Sequence, residues 1–213
     1  MIGIIDYNAG NIKSVEMALD SMAIPYVLGK KPEELKGADR LIFPGVGDAA
    51  YAMSQLKQTG FDSFLKDQAQ AKTPIMGICL GSQIIFEHSE EGDTDCLGLV
   101  PGKITHFKNI FEREGIPTDG LKIPHMGWND VHCKEDPVFN NINEGTAFYF
   151  VHSYVIEPAH WNAVRAFCEY GIKVPAVIRH ESIIACQFHP EKSGEPGLRL
   201  LKNFCLSEGD LSC

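Results

Sequence analysis

A cysteine set between two glycines is the first feature of this chain that suggests chemistry. Cys79 lies in Gly77-Ile78-Cys79-Leu80-Gly81, where an apolar run leads into a segment with helical character. This is the context of a nucleophile elbow, in which glycines let strand and helix approach closely. A following helix N-terminus would favour the thiolate, and the Leu80 N–H would face a developing oxyanion. A buried structural thiol fits the same short pattern, so this segment alone leaves both interpretations open.

A histidine and a glutamate near the end of the chain supply the partners that a nucleophilic thiol requires. His189 and Glu191 follow the apolar run 183–188, with Pro190 between them. A thiol needs a base within hydrogen-bond reach and a group that orients this base. In an extended segment residues i and i+2 point the same way, so we expect Glu191 to hold the His189 ring. A lone histidine is more often a surface group, and the pair is what favours catalysis.

A glycine-rich turn follows a third apolar run. Pro44-Gly45-Val46-Gly47 comes directly after residues 40–43. Two glycines at the end of a strand let the backbone turn its amides toward a ligand, which suggests an oxyanion hole. Taken alone, the pattern indicates only a turn.

The elements that must position these residues are short apolar runs that alternate with amphipathic segments. In the first half we predict strands at 2–6, 26–28, 40–43 and 75–78, and helices at 12–22 (capped by Asn11), 49–57, 61–71 and 82–88. In the second half we predict strands at 103–107, 147–155, 163–170, 176–180 and 183–188, an exposed loop at 111–122 and a helix at 196–205. We therefore expect one α/β domain over residues 1–213, with a mixed, mostly parallel central sheet flanked by helices and an antiparallel β portion in the second half.

Composition restricts the possible functions. Hydrophobic residues make up 44% and charged residues 22% of the 213-residue chain, as in globular proteins. The net charge of -9 argues against nucleic-acid binding, and no apolar run approaches the roughly 18 residues of a membrane span. Because the carboxylate of Asp6 comes too early for a signal peptide, we expect a cytoplasmic protein. The seven cysteines form no C-x-x-C pair, so we expect neither a disulfide framework nor a metal, and no cofactor.

Three segments together resemble the signatures of class I, triad-type glutamine amidotransferases, in order and spacing and over essentially the whole chain. They are residues 44–47, 77–83 and 189–191. The resemblance implies the flavodoxin-like fold of that family and hydrolysis of glutamine to glutamate and ammonia through a cysteine thioester. It implies a catalytic triad of Cys79, His189 and Glu191.

The same resemblance assigns roles to residues around the triad. It implies an oxyanion hole formed by Val46, Gly47 and Leu80, and substrate contacts from Gly45, Gln83, His152, Ser153 and Tyr154, those of the strand at 150–154 through its backbone.

Further segments resemble one branch of the family, the glutaminase subunits of imidazole glycerol phosphate synthase. They are residues 6–11, 124–129, 150–154 and 189–193. In that branch the subunit docks on a (β/α)8-barrel cyclase, which uses the ammonia to make imidazole glycerol phosphate and aminoimidazole carboxamide ribonucleotide in histidine biosynthesis. The resemblance implies that Asn11, Trp128 and Lys192 lie near this interface. Together with the glycine content of 45–47, it also suggests that a reorienting backbone there switches the oxyanion hole.

Several alternatives remain open. Asn8-Ala9 and Ser82 depart from the family's usual residues. A paralogous subunit that supplies ammonia for surface-sugar amidination is the second, less favoured interpretation. The amidotransferase subunit of pyridoxal phosphate synthesis is disfavoured by the segment 124–129. A catalytically dead scaffold and a stand-alone cysteine hydrolase are the alternatives from other classes. Whether activity requires glutamine and a second protein distinguishes them.

Overall fold

A nine-stranded sheet forms the centre of the molecule in the computed structural model, which describes residues 1–207. The strands of the chain are β1 (Ile2–Ile5), β2 (Tyr26–Gly29), β3 (Arg40–Gly45), β4 (Ile75–Cys79), β5 (His88–Ser89), β6 (Thr94–Asp95), β7 (Gly102–His106), β8 (His125–Cys133), β9 (Thr146–His152), β10 (Tyr154–Pro158), β11 (Val164–Tyr170), β12 (Ile172–His180) and β13 (Ile183–Cys186). The helices are α1 (Ile12–Ser21), α2 (Ala49–Thr59), α3 (Phe61–Gln70), α4 (Leu80–Gln83), α5 (Phe107–Glu114) and α6 (Gly194–Leu206). Not one of these helices is long and apolar enough to cross a membrane.

The central sheet is parallel on one side and antiparallel on the other. Its order is β2-β1-β3-β4-β13-β12-β11-β8-β9, and the first five strands run parallel. The remaining strands pair antiparallel. A second sheet has the order β10-β7-β5-β6, and its Ile104 and Ile156 share a core with Val164 and Ile178 of the central sheet. This arrangement confirms the predicted mixed α/β fold.

Alternation along the parallel strands explains why helices cover both faces of the sheet. Neighbouring residues of a strand point to opposite faces, and in β1 both Ile4 and Ile5 are fully buried. Ile4 packs in the core that contains apolar residues of α1 and α6, whereas Ile5 packs in the core that contains those of α2 and α3. These strands must be apolar on both sides, since each face of the sheet packs against its own layer of helices.

The predicted strand over 147–155 is in fact two strands in different sheets. β9 ends at His152 in the central sheet, and β10 begins at Tyr154 in the second sheet. Ser153 lies at the break, where its carbonyl accepts a hydrogen bond from Phe107 N at 3.0 Å. An apolar run does not show where a chain changes sheets, so the sequence could not reveal this junction.

Three other local predictions were wrong in part. The exposed loop over 111–122 begins inside α5, where Phe111 is buried, and the helix ends at Gly115 in the left-handed conformation, φ 67°. The helix over 82–88 starts two residues earlier, at Leu80, and ends after one turn. Strand β8 was not predicted. Its burial alternates along most of the strand, but the exposed positions include Met126 and Trp128, so the sequence shows no polar–apolar alternation.

A buried ion pair joins the antiparallel strands to the segment after β8. Asp136 Oδ2 and Oδ1 lie 2.6 Å from Arg179 Nε and Nη2, and both side chains are almost completely buried. Asp136 Oδ1 also accepts from Val138 N at 2.9 Å. Arg165 Nε also lies 3.5 Å from Asp136 Oδ2, but Arg179 makes the two short contacts, so its loss leaves the buried carboxylate poorly compensated.

We expect Arg179→Met to lower the free energy of unfolding by about 3–5 kcal/mol, because it leaves the Asp136 carboxylate buried without its main partner. Urea unfolding measures the change. Arg199→Met is the matched control, since Arg199 forms an exposed pair with Glu195 and its loss should cost below about 1 kcal/mol. Equal losses of unfolding free energy in the two variants would show that the buried pair contributes no more to stability than the exposed pair.

Candidate functional site

The cysteine of the sequence motif lies on a strained turn between β4 and α4. Cys79 has φ 53° and ψ -113°, a conformation that a residue with a side chain rarely adopts. Ser82 Oγ donates to the Cys79 carbonyl at 2.6 Å. A Cβ at Gly81 would lie 2.0 Å from Phe43 O, and a Cβ at Gly77 would lie 2.8 Å from Gly81 O. Both glycines are therefore required by close backbone contacts, as the elbow interpretation predicted.

The histidine and the glutamate predicted from the sequence meet the cysteine at this turn. His189 Nδ1 lies 2.8 Å from Glu191 Oε1, and both side chains are almost completely buried. Burial lowers the pKa of His189, but its hydrogen bonds and charge interactions with Cys79 and Glu191 outweigh this effect and raise the pKa to about 9. The raised pKa favours the protonated ring, which has the sulfur on one side and a carboxylate on the other.

The reason expected for the His189–Glu191 contact was wrong. Residues Pro190–Lys192 form a 3-10 turn, not an extended segment. Ser193 holds the turn: its hydroxyl donates to the His189 carbonyl at 2.6 Å and accepts from Tyr149 N at 3.0 Å. His189 N in turn donates to Tyr149 O at 2.9 Å. Ser193 was noted as part of a motif, but no positioning role was assigned to it.

The one-turn length of α4 changes the electrostatic argument for the thiol. A macrodipole sums aligned peptide units, and four residues contribute few of them. The His189 imidazolium is therefore the main positive charge beside Cys79.

A cavity of about 350 Å³ opens over the cysteine. Ten predicted site residues line it: Val46, Gly47, Cys79, Leu80, Gln83, His152, Ser153, Tyr154, His189 and Lys192. Gly45 is paired with Cys79 in the β3–β4 register, and Glu191 contacts His189. Asn11 and Trp128 are not among the lining residues.

A carboxylate that the sequence did not single out also lines this cavity. Glu91 is half-buried, and its Oε2 accepts from Ala49 N at 2.9 Å. Burial raises its pKa. Glu91 belongs to a run of acidic residues in a turn, and no pattern distinguishes it from its neighbours.

The Val46 amide, in the glycine turn, is directed away from the cavity. Val46 N donates to the Ala9 carbonyl at 3.0 Å. A planar peptide holds N–H and C=O on opposite sides, so the Gly45 carbonyl points away from Ala9. Leu80 N, at the start of α4, has no acceptor within its helix. Of these two predicted oxyanion donors, Val46 is thus engaged elsewhere in this conformation.

The side chain of Gln83 has its two amide hydrogens engaged inside the protein. Nε2 donates to the Tyr154 carbonyl at 3.1 Å and to Gln187 Oε1 at 2.8 Å. Its Oε1 oxygen is the group that remains to accept a hydrogen bond from a ligand.

The predicted interface residues lie at two places on the surface. Trp128 is 57% exposed and packs edge-to-face on Tyr149, with ring centroids 6.1 Å apart. Met126, two residues before it on the same strand, is 61% exposed. Lys192 lines the cavity and is also exposed. Asn11 precedes α1, as predicted for a cap, but its side chain makes no capping hydrogen bond.

Comparisons with known proteins agree with this geometry. The family model "Glutamine amidotransferase class-I" matches residues 4–207. The imidazole glycerol phosphate synthase subunit HisH of Nitratidesulfovibrio vulgaris (strain DSM 19637 / Miyazaki F) is 46% identical over 96% of this chain and 95% of the relative. The corresponding subunit of Bacillus subtilis (strain 168) is 44% identical, with the same coverage.

Solved structures show the same fold at low identity. A crystal structure of a glutamine amidotransferase superimposes with a TM-score of 0.71 at 18% identity, covering 96% of this chain and 99% of the other. Since the sequence match spans nearly the full length of both proteins, the chain belongs to the class-I glutamine amidotransferase family and, within it, to the HisH subunits of imidazole glycerol phosphate synthase.

Proposed function

We propose that this chain hydrolyses glutamine to glutamate and ammonia at Cys79. The observation that carries the proposal is the buried contact of Cys79 with His189, which Glu191 orients at 2.8 Å. The Cys79 thiolate attacks the carboxamide carbon of glutamine, and the His189 imidazolium donates its proton to the departing ammonia. Water then attacks the thioester and gives its proton to the now neutral His189, so that glutamate is released and the thiolate–imidazolium pair is restored.

The cavity offers groups that match the amino-acid end of glutamine. Glu91 and the free Oε1 of Gln83 are acceptors for an α-ammonium group. The backbone at Ser153 and Tyr154, where the chain changes sheets, presents polar groups to the α-carboxylate. The His152 side chain is engaged inside the protein, so its contribution comes through the backbone.

We also propose that the Val46 peptide reorients during activation. In the described conformation Val46 N–H binds Ala9 O, so one oxyanion donor is turned away. Rotation of the Gly45–Val46 peptide would direct this N–H toward the cavity, beside Leu80 N and Gly47. Free glutaminase activity is then low until a partner shifts the equilibrium toward the rotated state.

The partner that fits this family is a (β/α)8-barrel cyclase subunit, with which the chain forms a heterodimer in the cytoplasm. Residues 1–213 act in it as one amidotransferase domain. Ammonia passes to the cyclase and enters imidazole glycerol phosphate, with aminoimidazole carboxamide ribonucleotide as second product, in histidine biosynthesis. The relatives at 44–46% identity are HisH subunits, which favours this acceptor over sugar amidination.

The docking face that we propose includes both of the surface places described above. It contains Trp128 and Met126 on β8, Lys192 at the cavity and Asn11 before α1. Large exposed apolar side chains next to a catalytic cavity are typical of an interface that transfers a product.

Cys79→Ala tests the proposed reaction directly. With the cyclase subunit present, we expect ammonia release from glutamine to fall at least about a thousand-fold, because no other group supplies the nucleophile. Cys96→Ala is the control: burial raises the pKa of its thiol to about 12, so this thiol is not a nucleophile at neutral pH. Glutamate production that survives in Cys79→Ala would contradict the assignment.

The pKa of His189 predicts the alkaline limit of the reaction. Burial lowers this pKa, but Cys79 and Glu191 raise it to about 9. We therefore expect the imidazolium to persist at neutral pH and to be lost as the pH rises through about 9. We expect kcat/KM for glutamine to decline with that midpoint. In Glu191→Gln the midpoint should move down, since the carboxylate that stabilises the cation is gone. An unchanged midpoint in the pH profile of Glu191→Gln would rule out this role for Glu191.

Trp128→Ala should weaken binding of the cyclase subunit by about 2 kcal/mol, or roughly thirty-fold in Kd, because exposed aromatic residues of this size are frequent interface anchors. Isothermal titration calorimetry measures the change. Trp161→Ala removes the other tryptophan, which is also exposed but lines a different cavity, and should leave Kd unchanged. The docking face is wrongly placed if Trp161→Ala has the larger effect.

A further inference from the structure

Two buried histidines beside the cavity have no part in the hydrolysis steps above. His125 Nδ1 lies 3.0 Å from His152 Nε2, and His152 Nδ1 lies 2.7 Å from the Tyr154 carbonyl. At the other end Asn129 Nδ2 lies 3.2 Å from His125 Nε2. These contacts form one continuous chain of hydrogen bonds, which runs from β8 to the junction of β9 and β10.

The donors and acceptors in this chain of hydrogen bonds are consistent with only one direction. The amide nitrogen of Asn129 also donates to the Glu169 carbonyl at 3.0 Å, which identifies it as the nitrogen. Since this group can only donate, His125 Nε2 must accept. A neutral imidazole carries one proton, so His125 Nδ1–H donates to His152 Nε2. His152 Nδ1–H then donates to the Tyr154 carbonyl, and both rings are Nδ1–H tautomers.

Aromatic surroundings keep both rings neutral. His125 is stacked between Phe150 and Tyr170, with ring centroids 4.8 and 4.1 Å away, and Phe107 contacts both histidines. Burial lowers the pKa of His125 to about 4 and that of His152 to about 3. A second proton on His125 would also face the donor group of Asn129, which cannot accept it.

The end of the chain of hydrogen bonds leads to the substrate cavity. The Tyr154 carbonyl accepts from His152 Nδ1 and also from Gln83 Nε2. Gln83 lines the cavity, and the oxygen of its side-chain amide remains available to a ligand. The position of the Tyr154 carbonyl therefore determines which way the Gln83 amide is turned.

We propose that Asn129, His125 and His152 are positioning residues that fix the Tyr154 carbonyl and, through it, the Gln83 oxygen for binding of glutamine. This inference rests on the proposed function. If His152 adopted the other tautomer, its unprotonated Nδ1 would face the carbonyl oxygen, and two acceptors would repel each other. The order of donors along the chain thus sets the shape of the substrate cavity.

Nitrogen-15 NMR of histidine-labelled protein tests the tautomers without any reference to activity. At pH 7 we expect both His125 and His152 as neutral Nδ1–H tautomers, assigned by comparison with His125→Phe and His152→Asn. Free imidazoles in water favour the Nε2–H form, so the expected result is not a default. Detection of either ring as the Nε2–H tautomer or as the imidazolium overturns the proposal.

Two variants of His125 separate a positioning role from a merely structural one. Glutamine binding is measured by calorimetry on the full chain in a Cys79→Ala background, where no turnover occurs. His125→Phe keeps the ring between Phe150 and Tyr170 but loses the donor to His152. We expect a smaller loss of Tm than in His125→Asn, and Kd for L-glutamine to rise about five-fold, as for one lost hydrogen bond.

His125→Asn has the opposite properties. Its amide nitrogen can take the place of Nδ1, whereas the stacking surface is lost. We expect a lower Tm and a Kd for L-glutamine within about two-fold of the Cys79→Ala parent. If Kd instead follows Tm in the two variants, the histidines are structural only and the inference fails. A Cys79→Ala parent that binds no glutamine refutes the proposed function, while the NMR result still reports on the tautomers.

Discussion

The approach of three backbone segments at one point is the constraint on which this structure depends. The end of β3, the end of β4 and the single turn of α4 are so close that a Cβ at Gly45 would lie 2.6 Å from Gly81 N. Such contact is possible only with glycines, and it forces Cys79 to the left-handed side of the backbone map, at φ 53°. Strand pairing, with Gly45 opposite Cys79, then places the glycine turn next to the sulfur. The parallel half of the sheet is the frame that keeps these segments in contact.

Much of this could be predicted from the sequence because the relevant signals are local. Apolar runs identified the strands of the parallel half, and glycines at 77 and 81 identified the elbow. His189 and Glu191 were found because two functional side chains two residues apart are uncommon in a chance turn. What the sequence lacked were long-range contacts. Glu91 reaches the cavity only because its turn packs on the start of α2, and the break at Ser153 exists only because two sheets meet there.

The histidines of the site show how neighbours determine the charge of a buried group. His189, His125 and His152 are all buried near the same cavity. The pKa of His189 is raised because a sulfur and a carboxylate that contact its ring outweigh the effect of burial, whereas the pKa of the other two is lowered mainly by burial. One residue type thus has pKa shifts of opposite sign beside the same cavity. The sequence singled out His189 through its spacing from Glu191, but it did not show that His125 and His152 contact each other across two strands.

The hydrogen bond between Val46 N–H and the Ala9 carbonyl has an energetic consequence for control of the site. A single backbone hydrogen bond contributes about 1 kcal/mol net, which corresponds to roughly a five-fold population ratio. A hydrogen bond of this strength can be outweighed by a small difference in contact energy at the loop that carries Ala9. Without such a contact, the same hydrogen bond would keep most molecules in the conformation in which Val46 N–H binds the Ala9 carbonyl. The reorientation that we propose for the Val46 peptide would therefore need no large rearrangement, because a single amide that changes its hydrogen-bond acceptor would be enough to control hydrolysis of glutamine.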